Sequence, residues 1–189
     1  MTATTIYSTE ALLTAIANGL QPKYLFFWGH QPRQDGQIDK QCLSQWWASS
    51  FEVNGLIYPT AEHYMMAEKA RLFGDEVTAE KIVSAAHPEV AKKLGRAVKG
   101  FDEATWAEHR FAIVVRGNEA KFGQNADLKE FLLNTGERVL VEASPLDRVW
   151  GIGVAEDNAV AVKPEQWRGL NLLGFALMKV RRGLSNPHP

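Results

Sequence analysis

The chain is poor in cysteine: Cys42 stands alone among 189 residues. A single thiol cannot close an internal disulfide, and a Cys-rich metal site is excluded with it. A reducing, cytoplasmic setting is the expectation that follows. Surplus charge is lacking too. The formal net charge is -1, so no global field steers nucleic acid to the molecule, although a local basic patch remains open. Long apolar runs are missing. The opening "MTATTIYSTEALLTAIANGL" has no basic flank and no continuous apolar stretch, and it reads as neither signal peptide nor membrane anchor. The histidines at 30, 63, 87, 109 and 188 include no pair at zinc-ligand spacing with a third ligand close by, so no metal is expected. A Gly-x-Ser-x-Gly elbow is absent and Cys42 has no local partner, which leaves acyl transfer unsupported. "GIGVAEDN" lacks the third glycine and the strand-to-helix context of a dinucleotide fingerprint.

What is present is an ordinary soluble composition, 46% hydrophobic and 23% charged, in a chain long enough for one sizeable core and short for two. We expect a single domain over residues 1–189. Ser8 or Thr9 can cap a first short helix that Gly19 would end, and "KYLFFWGH" reads as a buried strand. "FEVNGLIY" is two apolar runs around Asn-Gly, a strong hairpin signal. Helices are expected over 60–73, 75–86, 88–98, 102–122 and 127–134, with Pro88 and Asp102 placed to open two of them. "RVLVEAS" and "RVWGIG" look strand-like. "PEQWRGLNLLGFALMKVRRGL" closes the domain as one helix with basic residues near its end, and "SNPHP" is a disordered tail. The class is α+β: a mostly helical body around a small, mainly antiparallel sheet.

The informative stretch is "YPTAEHYMMAEKARLFG". Glu62, Met65, Met66, Lys69 and Phe73 recur at helical spacing and define one largely apolar face. Burying a charge without a partner is costly. Seven residues of helix rise roughly 10 Å, beyond ordinary i,i+4 pairing, so Glu62 and Lys69 are better suited to bracket a ligand than to meet each other. Glu62 also stands in the first turn, where the dipole favours a carboxylate. The plain alternative is that Glu62 only complements the dipole and Lys69 snorkels to solvent.

Other candidates carry the same double reading. Trp46 and Trp47, in "LSQWWASS", are either core or a platform for a flat base, with Ser44 and Gln45 beside them as hydrogen-bonding groups. Lys121 ends a stripe of Trp106, Ile113, Val114 and Gly117; it complements a helix dipole or holds a phosphate. Arg96, in "KKLGRAVKG", is a solvated helix residue or a phosphate clamp. In "LDRVWGIG", Gly151 and Gly153 would let backbone approach a ligand, and Asp147 would act on a sugar hydroxyl or on the leaving group; a plain turn is the alternative.

Five blocks in order, "YPTAEHYMMAEKA", "LGR", "NEAKF", "LVEASPLDRVWGIG" and "NLLGFALMKVR", resemble the NADAR superfamily, also called YbiA-like, over about residues 24–183. "FFWGH" and "LSQWW" are similar to its longer members linked to riboflavin biosynthesis, whereas many shorter members have Ser-Asn-Phe where this chain has Ser44-Gln45-Trp46. The resemblance implies an N-glycosidase acting on early riboflavin intermediates, the phosphoribosylamino pyrimidines, to give an aminopyrimidine and ribose 5-phosphate. It also implies two alternatives: removal of ADP-ribose from guanine in nucleic acid, and non-catalytic binding of ADP-ribose or another nucleotide. By matching position, Glu62, Lys69, Asp147 and Trp150 fall in the implied active site, with Trp46, Arg96, Lys121 and Asn171 beside them. Hydrolysis needs no cofactor. The expected partner is a small phosphoribosylated substrate, with ADP-ribosylated nucleic acid as the alternative and no membrane.

Overall fold

The structure, a computed structural model, describes residues 5–185. The tail from Asn186 on, and with it His188, lies outside the described residues. Along the chain run α1 (Thr9–Ala17), β1 (Tyr24–Phe27), β2 (Phe51–Val53), β3 (Leu56–Tyr58), α2 (Ala61–Leu72), α3 (Glu76–Val83), α4 (Pro88–Arg96), α5 (Glu103–Gln124), α6 (Ala126–Asn134), β4 (Val139–Glu142) and α7 (Leu172–Ser185). Short 3₁₀ turns lie at Lys40–Leu43 and Pro164–Gln166. The class is α+β, as the sequence implies. The described residues form two compact units, Gln45–Lys129 and the segments on either side of it.

In the Gln45–Lys129 unit, Asn-Gly does make a hairpin. Asn54 and Gly55 both take positive φ, at 53° and 79°, as a tight turn matched to strand twist requires. Phe51 pairs with Tyr58 across the antiparallel β2–β3 ladder. Side chains cap the helix starts: Thr60 accepts from the His63 amide, Asp75 from Thr78 and Asp102 from Thr105. Each satisfies an amide that the helix itself leaves orphaned, worth about 1 kcal/mol. Helix α2 lies at the centre, packed against α3, α4, α5 and β3. Its sequence suggests a single apolar face. In fact every residue from Ala61 to Ala67 is buried, because neighbours surround the N-terminal half. The approach to α4 is so close that a Cβ on Gly95 would collide with Met66.

In the other unit β1 and β4 pair in parallel, Tyr24 beside Val139 and Phe27 beside Glu142. Helix α7 packs on β4. The expected single, mainly antiparallel sheet is therefore two separate ribbons, one antiparallel and one parallel. The parallel pair is apolar along nearly its whole length, with β4 buried from Val139 to Val141 and β1 fully buried only at Phe27. Two further expectations are corrected. "RVWGIG" is not a strand, because the Asp147 side chain bends it into a turn. The closing helix starts at Leu172 and not at Pro164, because Asn171 sits in the left-handed region at φ 52°. Among the described residues no helix is long and apolar enough to cross a membrane.

Candidate functional site

Six of the sequence-predicted residues belong to the Gln45–Lys129 unit: Trp46, Trp47, Glu62, Lys69, Arg96 and Lys121. Four belong to the other: Asp147, Trp150, Gly151 and Asn171.

Glu62 is 3% exposed and stands in the first turn of α2. Its amide donates to the Gln45 carbonyl at 2.9 Å, which ties the helix start to the turn that carries Trp46 and Trp47. Gln45 is itself buried, and its side-chain oxygen accepts from Asn118 Nδ2 at 2.8 Å. Trp47 is buried, whereas Trp46 keeps part of its surface open. The turn thus places one half-open indole next to the residue that anchors the Glu62 backbone.

Lys69 is half-buried, further along the same helix. Its ammonium donates to the Gly95 carbonyl at 2.9 Å, near the end of α4. It also lies 4.1 Å from the Phe101 ring centroid and 5.6 Å from that of Trp106. Burial pushes its pKa below the ordinary lysine value; Glu103 works against that shift and Arg96 adds to it. The result is an amine in an aromatic, partly dry recess, more easily deprotonated than a surface lysine. Snorkelling to solvent does not describe it.

Lys121 is fully buried near the end of α5, 5.0 Å from the Phe122 ring. Its stripe is as the spacing predicts, with Trp106, Ile113, Val114 and Gly117 all buried. Glu62 and Lys121 are opposite charges on two helices that pack together, and each has interaction partners. Arg96 is exposed at the end of α4.

In the other unit the predicted residues have backbone duties. Asp147 Oδ1 accepts from the amides of Val149 and Trp150 at 2.8 and 2.7 Å. Trp150 is half-buried. Gly151 has no room for a side chain, since a Cβ there would press on the carbonyls of Glu142 and Asp147. Asn171 is fully buried; its Oδ1 accepts from the Glu142 amide at 3.0 Å and its Nδ2 donates to the Leu140 carbonyl at 2.9 Å. Its side chain stitches the start of α7 to β4.

Sequence reasoning missed Phe101, whose ring faces Lys69 although it is 43% exposed, and Asn118, which holds Gln45. The available signals were an aromatic just before the Asp102 cap and an amide one turn from Val114 on an apolar stripe. Among the described residues no group of three or more His, Cys, Asp and Glu could hold a metal.

These features can be set beside known proteins. The NADAR domain family model matches residues 26–185. The chain is 44% identical over 164 residues to an N-glycosidase of Acanthamoeba polyphaga mimivirus, covering 84% of this chain and 95% of that protein. It is 32% identical over 143 residues to N-glycosidase YbiA of Escherichia coli, covering 76% and 81%. The NMR structure of the E. coli protein YbiA has the same fold, with a TM-score of 0.66 at 28% identity over 88% of this chain and 87% of that one. The chain belongs to the NADAR family.

Proposed function

We propose that this NADAR-family chain is an N-glycosidase that hydrolyses the N-glycosidic bond of early riboflavin intermediates, the phosphoribosylamino pyrimidines, to an aminopyrimidine and ribose 5-phosphate. The observation that carries the reading is the pairing on α2 of a buried carboxylate, Glu62, with a half-buried amine of lowered pKa, Lys69. Over seven residues of helix they are separated by roughly 10 Å of rise, a span that accommodates a ribose. The N-glycosidase names of the mimiviral and bacterial relatives support the reaction class.

Breaking an N-glycoside develops positive charge at the anomeric carbon. In a low-dielectric recess the Glu62 carboxylate stabilises that charge more strongly than water would. Water then adds to the anomeric carbon as the bond to nitrogen breaks, and a proton passes to the departing amine. Lys69 has two ways to contribute. As a cation it fixes ribose or phosphate oxygens. As a neutral amine it adds to C1 of the ring-opened ribosylamine, the imine formed when the ring C1–O bond breaks; the aminopyrimidine then leaves with the protons that Lys69 sheds, and water hydrolyses the Lys69 imine that remains. Trp46 offers its open face to the base, with Trp47 beside it in the same turn. Arg96 and Lys121, in the same unit, supply positive charge for it.

The test offers wild type and Glu62→Ala a phosphoribosylamino pyrimidine and, separately, an oligonucleotide bearing ADP-ribosylated guanine. Ribose 5-phosphate released from the first by wild type alone is the expected result. Release of ADP-ribose from the oligonucleotide would transfer the activity to nucleic acid. Nucleotide binding that survives Glu62→Ala, with no turnover of either, would make the chain a binder. Borohydride during turnover separates the Lys69 roles: a trapped adduct that Lys69→Arg cannot form establishes the imine route.

A further inference from the structure

Helix α4 carries a basic stripe past the recess just described. Lys92 and Arg96 are one turn apart, so they share a face with Cβ atoms about 5–6 Å apart. The inward face of the helix is formed by Ala91 and Gly95. Lys92 is half-buried and its ammonium stands 5.7 Å from the Trp46 ring centroid. Arg96 directly follows Gly95, whose carbonyl receives Lys69. A single turn of α4 therefore runs from the indole of Trp46 to the amine of Lys69. Among the described residues neither Lys92 nor Arg96 has a hydrogen-bond or ion-pair partner. The helix dipole accounts for a cation at Arg96, in the last turn, but not for Lys92 in the middle of the helix.

We infer that Lys92 is a substrate-binding residue that, together with Arg96, grips the 5′-phosphate of the nucleotide whose base lies on Trp46. The inference rests on the proposed activity for its choice of ligand. It assigns the phosphate to the α4 stripe and leaves Lys69 for the sugar. Two cations at i,i+4 spacing can share one phosphate through charge-assisted hydrogen bonds, and the indole beside them fixes the base end of the same ligand. A pyrimidine nucleoside 5′-monophosphate should thus bind more tightly than its nucleoside, in a manner that salt weakens.

The experiment is calorimetric binding of uridine 5′-monophosphate and of uridine to wild type, Lys92→Ala and Lys92→Arg, with turnover of the phosphoribosylamino pyrimidine measured alongside. Wild type should prefer the monophosphate by about tenfold or more, as one charge-assisted contact allows. Lys92→Ala should lose most of that preference, and Lys92→Arg should keep it, which also shows that the position tolerates replacement. In turnover, Lys92→Ala should raise KM more than it lowers kcat. A preference that is unchanged in Lys92→Ala, or absent in wild type, overturns the inference even where hydrolysis is intact. A preference that depends on Lys92 in a protein that hydrolyses nothing leaves the phosphate site standing and removes the proposed activity.

Discussion

Glu62 on α2 and Asn171 before α7 are buried to nearly the same depth, 3% and 0% exposed, yet their surroundings differ in kind. Asn171 is neutral. Both ends of its amide are bonded to backbone groups of β4, so its burial is compensated locally and its work is to hold two elements together. Glu62 brings a carboxylate into a helix half that is buried on every side, and its backbone amide seats the helix against the Gln45 carbonyl. A buried carboxylate costs more to desolvate than a buried neutral amide does. Burial of a polar group is therefore not itself a sign of function. The sign is a charge that the fold would be easier to build without.

The sharpest way to break this comparison is to neutralise the carboxylate while keeping its shape. Glu62→Gln should lower kcat/KM by about 10³-fold, roughly 4 kcal/mol of transition-state stabilisation, with the melting temperature unchanged or raised. A variant that stays active but melts early would place Glu62 in the same class as Asn171. Lys69→Met should cost less, about 10²-fold in kcat, because Phe101 and Trp106 still shape the recess. The lowered pKa gives a second readout. If the neutral amine attacks, kcat should rise with pH through an apparent pKa below the ordinary 10.5, and Lys69→Arg should abolish that limb.

The burial of Glu62 and the half-burial of Lys69 were legible because helical spacing places them among methionines, and the hairpin was legible because Asn-Gly dictates its own turn. The parallel ribbon was not. Its strands flank the entire Gln45–Lys129 unit, and nothing local in "YLFF" or "VLVE" names a partner. The start of α7 was misplaced for a different reason. Asn171 reads as a helix residue in sequence, and its left-handed backbone is imposed by tertiary bonds to β4. Lys92 looked like one of several lysines in "AKKLGR" until the Trp46 ring was found beside it.

Asn171→Ala sharpens the other half of the comparison. It strands the Glu142 amide and the Leu140 carbonyl and leaves alanine in a left-handed conformation. We expect a loss of about 2–4 kcal/mol, seen as a melting temperature lower by roughly 5–15 °C, with kcat of the folded fraction nearly intact. A kcat loss as large as that of Glu62→Gln in a protein of normal stability would make Asn171 a substrate contact rather than a stitch.

The smallest effect is expected at His63, which lies beside Glu62 yet belongs with the scaffold. It is fully buried; Nε2 reaches the Ala85 carbonyl at 3.1 Å and Nδ1 meets Thr60 Oγ1 at 2.8 Å. A carbonyl only accepts, so Nε2 carries the proton and Nδ1 accepts from the Thr60 hydroxyl. Burial lowers the histidine pKa, the hydrogen bond to Ala85 opposes that, and His87 lowers it further. Below the ordinary value of 6.5 the unfolded chain takes up a proton before the folded one does. Stability from this group is thus complete above 6.5 and is lost as pH falls toward the lower folded pKa. Melting curves between pH 7.5 and 5 should show a decline that is shallower in His63→Gln. An equally steep decline in the variant would assign the acid sensitivity to other groups. A decline in kcat without one in melting temperature would place His63 with Glu62 in the chemistry instead of the frame.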